Sequence, residues 1–129
     1  MARGFGECRP GALLGVALVL VKAPARWTQQ GHLALDARGQ VVKATDERAA
    51  AWSLIGALLR ACALHGLPRD SAPLQAALTC LRRAVGRTDL FGWEETAGRT
   101  HEEVVAALRR AIVLAHLHEL QPADYKIAA

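Results

Sequence analysis

The sequence predicts an α-rich α+β fold: one small single domain ordered helix, β-hairpin, three helices. Three observations carry this. Ala and Leu dominate a chain that is 52% apolar, while β-branched and aromatic residues are few, and that composition favours helix. One stretch alone, Trp27 to Val42 (W-T-Q-Q-G-H-L-A-L-D-A-R-G-Q-V-V), reads as β, with apolar alternation beside a tight turn. The length of 129 residues fits one domain with a real core, and no repeat, low-complexity tract or linker divides it.

Residues 1–10 read as a flexible leader, 11–120 as the domain and 121–129 as a frayed tail. Pro10 and Gly11 open an apolar run, Ala12 to Val21. Proline is welcome in the first turn of a helix, and a run of about ten residues is too short to span a bilayer. A buried core helix is the favoured reading, and a cytoplasmic protein with it. The competing reading makes residues 1–25 an export signal, with Arg3 and Arg9 as its basic end and Ala23-Pro24-Ala25 as its cleavage site. Glu7 in the basic end, Pro24 in the cleavage site and Trp27 so soon after it count against that.

The hairpin spans 31–42. Leu33 and Leu35 fall on one face of its first strand. In Asp36-Ala37-Arg38-Gly39, Asp36 caps its own turn and Gly39 supplies the positive φ of a type I turn with a glycine bulge. Val41 and Val42 return as the short partner strand. Thr45 or Asp46 then caps a second helix, from about Glu47 to His65, with Trp52, Ile55, Leu59 and Cys62 on one stripe. A glycine inside it, Gly56, marks close contact with the hairpin or another helix. Gly66 and Pro68 stop it. Asp70 or Ser71 caps a third helix ending at Gly86, with Leu74, Ala77, Leu78, Leu81 and Val85 inward. Residues 87–99 read as a loop tucked onto the core by Leu90, Phe91 and Trp93. Thr100 and Glu103 form a capping box that opens the last helix, running to about Glu119.

Taken in order, Trp27-Thr28-Gln29, Asp36-x-x-Gly39, Trp52-Ser53-x-x-Gly56-Ala57, Trp93, and Arg99-Thr100 leading into Val104 resemble the motifs of a family. It comprises small uncharacterised bacterial and phage proteins classed as a domain of unknown function. The family pattern reads W-[TC]-Q, D-x-x-G, W-C-x-x-G-A, W-N-D and R-T-x-x-x-V, and the resemblance covers about residues 12 to 115. Three departures stand out. Ser53 replaces the family cysteine, Trp93-Glu94-Glu95 stands for W-N-D, and Gln30 is a one-residue insertion. A nucleophilic role for that cysteine would fall to Ser53, and serine needs a stronger base. The resemblance therefore implies a shared fold rather than a shared chemistry.

Each motif tryptophan sits beside polar residues. A ligand pocket with Trp27, Trp52 and Trp93 as walls and Gln29, Asp36 and Glu95 as polar groups would read this way. Thr28, His32, Ser53, Glu94 and His101 complete the polar set. If the pocket exists, the three tryptophans should face one region with Gln29, Asp36 and Glu95 near it. The competing reading, which the sequence favours, has the tryptophans sealing the hairpin and the polar residues capping and buttressing. A hydrolase would use Ser53 as nucleophile, His101 or His32 as base, and Asp36 or Glu95 as orienter, but no G-x-S-x-G elbow surrounds Ser53. Cys62, His65 and Cys80 make a weak metal set without paired motifs, and His116 and His118 fall on nearly opposite sides of a helix. No metal and no cofactor is expected.

The leading functional class is therefore a non-enzymatic binding or accessory protein that meets a protein partner through the hairpin and the Trp93 loop. A small enzyme or small-molecule binder built on the tryptophan-lined cluster is the alternative. With a net charge of +4, a weak nucleic-acid binder using Arg82, Arg83, Arg87, Arg109 and Arg110 is a second.

Overall fold

The computed structural model describes residues 8–29 and 31–120. The leader through residue 7, Gln30, the side chains of residues 118–120 and the tail from residue 121 lie outside the described residues. Helix α1 covers Pro10–Val21, and a short 3-10 turn follows at Pro24–Arg26. Strands β1 (Ala34–Asp36), β2 (Val41–Val42) and β3 (Ala49–Trp52) come next. Four helices then finish the chain: α2 (Leu54–Leu64), α3 (Ala72–Val85), α4 (Leu90–Glu94) and α5 (His101–Leu120).

The apolar run Ala12 to Val21 becomes α1, with Pro10 at its first position. It packs between α2 and α5, while α3 packs on α5. Leu13, Leu14, Ala17 and Val21 of α1 are fully buried beside Leu54, Leu58, Leu81, Val104 and Leu108. Among the described residues, no helix is long and apolar enough to cross a membrane. The last helix starts as expected. Thr100 N donates to Glu103 Oε1 at 2.9 Å, and Glu103 N donates to Thr100 Oγ1 at 3.1 Å.

The hairpin forms with antiparallel strands, Ala34 opposite Val42. Its turn follows the sequence chemistry. Asp36 Oδ1 accepts from the amides of Arg38 and Gln40, both at 2.9 Å, and Gly39 takes φ +81°.

The second helix differs from expectation. Its first residues, Ala49 to Trp52, are a strand, and the sheet has three strands in the order β2-β1-β3. Asp46 caps a turn: its side chain accepts from Arg48 N at 2.8 Å, and its carbonyl from Ala49 N at 3.0 Å. That turn returns the chain alongside β1, placing Ala34 opposite Trp52. Pairing to a distant strand overrides the helix propensity of three alanines. The helix waits for Ser53, whose hydroxyl accepts from Gly56 N at 3.1 Å as a true N-cap. Trp52 thus leaves the helical stripe, and Leu54, Ala57, Leu58, Ala61 and Cys62 form the buried face of α2. The supposed loop 87–99 also contains a helix, α4, which Asp89 caps through Gly92 N at 2.9 Å.

Gly56 is where α2 meets the hairpin. A Cβ there would run into the carbonyl oxygen and carbon of Leu33. That carbonyl also accepts from Ser53 N at 3.2 Å, so it cannot retreat without cost. Gly56→Ala should therefore destabilise the fold by about 1–3 kcal/mol in urea unfolding, the usual range for overpacking. Gly15→Ala is the control. Nothing lies within 4 Å of its Cβ position in α1, so it should be neutral or gain up to about 1 kcal/mol of helix propensity.

Candidate functional site

The polar residues beside the three tryptophans converge, but on one another. Their centre is Glu94, the last residue of α4, whose side chain is only 1% exposed. Its Oε2 accepts from Trp27 Nε1 at 2.7 Å and from Leu54 N at 2.9 Å. Leu54 N is one of the orphan donors at the start of α2. One carboxylate oxygen thus ties together the strap after α1, the start of α2 and the end of α4.

The strap extends this clamp through Trp27, Thr28, Gln29 and Gly31. Trp27 bridges to Trp52, and Thr28 N donates to Trp52 O at 3.1 Å, covering the outer edge of β3. Gln29 Nε2 donates to the carbonyls of Glu94 and Thr96, at 2.7 and 3.2 Å, where α4 ends. Gly31 N donates to Glu95 Oε2 at 2.9 Å. Trp93 packs inward under Arg99, whose guanidinium carbon lies 3.9 Å from the ring centroid. Arg99 Nε donates to the Trp93 carbonyl at 2.9 Å. Trp52 is 3% exposed, and its indole donates to Ala44 O at 3.1 Å, away from Glu94.

Gln29, Glu95 and the Trp27, Trp52 and Trp93 segments are therefore neighbours. Asp36 is spent in the hairpin turn on Arg38 N and Gln40 N. The remaining candidates are tied elsewhere. Ser53 is buried and caps α2. His101 Nε2 lies 2.7 Å from Val21 O. A carbonyl can only accept, so Nε2 carries the hydrogen and caps the end of α1. Its ring also stacks obliquely on Trp27, with centroids 6.1 Å apart. Serine and imidazole thus serve different partners, and Asp36 belongs to a third. His32 is half-buried beside the hairpin.

Among the described residues, no group of three or more His, Cys, Asp or Glu is placed to hold a metal ion. Cys62 Sγ instead faces Ser71 Oγ at 3.7 Å. Of the five arginines, Arg82 Nε donates to Thr88 O at 3.2 Å, and Arg110 Nη1 to Ala84 O at 2.8 Å. Arg110 thus serves a carbonyl in the last turn of α3, a common use of arginine there, and Arg82 one in the loop that follows. Arg83, Arg87 and Arg109 are exposed.

Sequence reasoning singled out Glu95 and missed the larger role of Glu94. The usable signal was the donors: an indole N–H of a packed tryptophan and the open N-terminus of α2 both require an acceptor. With this geometry in view, residues 8–114 match the model of a family of unknown function, DUF6197. The chain belongs to that family. No curated protein and no solved structure matches it. In this DUF6197 member, the motif residues reach across the fold to hold α4 against α2 and the strap.

Burial dominates the electrostatics of Glu94. Loss of solvent pushes its carboxyl up from the ordinary 4.5 to about 7, against the opposing hydrogen bonds from Trp27 and Leu54. Nearby Glu95 adds to the rise. The folded state therefore binds this proton more tightly than the unfolded chain. Its stabilisation is complete below pH 4.5, falls as pH rises towards 7, and is gone above that. The span corresponds to roughly 3 kcal/mol. Urea unfolding of the wild type should show this fall relative to Glu94→Gln, and parallel pH curves for the two would contradict it. Ser53→Ala should cost about 1 kcal/mol as a lost cap, checked by the same unfolding measurement.

Proposed function

We propose that the chain is a non-enzymatic binding protein that meets a protein partner through its hairpin side. The observation that supports this is a groove of about 670 Å³ beside the sheet. Gly31, His32, Leu33, Val41, Val42 and Lys43 line it, together with the Asp46–Arg48 ion pair. Strand β2 is the open edge of the sheet, and its Val41 is 60% exposed. Gly31, one of the lining residues, is held by Glu95 just beyond α4. This bond ties the start of the hairpin side to the residue that follows α4. By contrast, the polar groups near the tryptophans are bonded to one another and to backbone, which favours binding over catalysis.

The same reading places the protein in the cytoplasm. Supporting this is the place of α1 inside the core, where a cleaved export signal would not pack.

Photo-crosslinking tests the proposed face. A benzoylphenylalanine at Val41 should give a discrete adduct in native extract, and one at Leu64, also exposed but on α2, should not. Adducts of equal yield from both positions, or none from Val41, would count against it.

A further inference from the structure

The groove continues into a second cavity, and the pair point to the chemistry of the partner, an inference that rests on the reading above. This cavity, of about 310 Å³, lies between the chain leaving the hairpin and the C-terminal half of α2. Leu33, Leu59, Ala63 and Leu67 give it an apolar lining, and the exposed cations Lys43 and Arg69 border it. Leu33 and Lys43 line both cavities. The two cavities therefore adjoin at Leu33 and Lys43.

Their charge is uneven. On the larger cavity, Arg48 is paired with Asp46 at 2.9 Å, and Asp36 and Glu47 also act on it. Lys43, which borders both cavities, and Arg69, which borders the smaller, make no ion pair among the described residues. Arg60 adds a further cation under the turn that borders both cavities. Its Nη1 donates to Asp46 O at 3.2 Å, while its Nε is buried with no hydrogen-bond partner among the described residues. An apolar cavity flanked by unpaired cations selects an apolar group with carboxylates beside it. Strand β2, an open edge of the sheet, lines the larger cavity with Val41 and Val42, and an open strand edge takes a partner in extended form.

We propose that this groove binds an extended acidic peptide segment, seating an apolar side chain against Leu33, Leu59, Ala63 and Leu67 and carboxylates on Lys43 and Arg69. The partner is thus a protein that presents an acidic, apolar stretch in extended form.

Fluorescence anisotropy on the full chain tests this with a fluorescein-labelled peptide, Asp-Glu-Leu-Phe-Asp-Glu. Two comparators go with it: one replaces both apolar residues by serine, the other replaces every acid by lysine. The acidic apolar peptide should bind at least about tenfold more tightly than either, and its affinity should fall with added salt. Lys43→Glu with Arg69→Glu, both exposed and safe for folding, should weaken it by about tenfold or more. Ala63→Trp, which fills the cavity, should weaken it similarly, with thermal melting confirming that each variant folds. Binding of the lysine peptide as tightly, indifference to the charge reversals, or no binding would overturn the proposal. A persisting Val41 crosslink with no peptide binding sinks the acidic assignment alone. Loss of both sinks the hairpin-side reading as well.

Discussion

A single carboxylate oxygen, Oε2 of Glu94, receives hydrogen bonds from Trp27 and Leu54 in a setting almost closed to water. Trp27 lies 67 residues away in sequence, and Leu54 lies 40 away. Both donors would be costly to bury without an acceptor, each by about 1–3 kcal/mol. The carboxylate itself is costly to bury without donors. Each side thus requires the other, and the segments that carry them must arrive together. The strap can then cover β3, α2 can start at Ser53, and α4 can close over the core with Trp93 inward.

The same dependence explains why motifs so far apart occur in one chain. Gln29 caps the end of α4, Arg99 holds the Trp93 carbonyl and ring, and His101 caps α1. Residue types that usually suggest chemistry are here acceptors and donors for helix ends. A tryptophan beside glutamine and acid can mark a pocket, but it can equally mark a closed polar joint. The deciding facts are the partners: backbone carbonyls, backbone amides and one indole.

Much of the fold was legible where the determining chemistry lies within a few residues. The Asp36–Gly39 turn, the Thr100–Glu103 box and the α1 run all follow from local rules. Gly56 was legible too, because a glycine inside a helix signals a close approach, and the Leu33 carbonyl occupies that space. Strand β3 was not legible. Ala49, Ala50 and Ala51 prefer helix, and their extended state is imposed by β1 and Trp27 from far along the chain. Glu94 was hidden for a similar reason. In sequence it is one of several polar residues beside the tryptophans, and only the meeting of three remote segments makes it a core residue. Asp36 shows the opposite error: its local role was evident, and grouping it with the tryptophans rested on order along the chain alone.

The proposed binding face lies outside that closed centre, around the hairpin: the open β2 edge, the adjoining cavities and the cations beside them. Rigid attachment of that face to the core comes back to Glu94 and Glu95 through Trp27 and Gly31. The most direct measurement is the indole N–H resonance of Trp27, followed by NMR across pH 5 to 9, with that of Trp52 as reference. The Trp27 signal should shift with a midpoint near 7, as the carboxylate it bonds to ionises, and the Glu94→Gln variant should lose the shift. Trp52, bonded to a backbone carbonyl, should barely move. A Trp27 signal that ignores pH in the wild type, or titrates equally in the variant, would contradict the central role of Glu94.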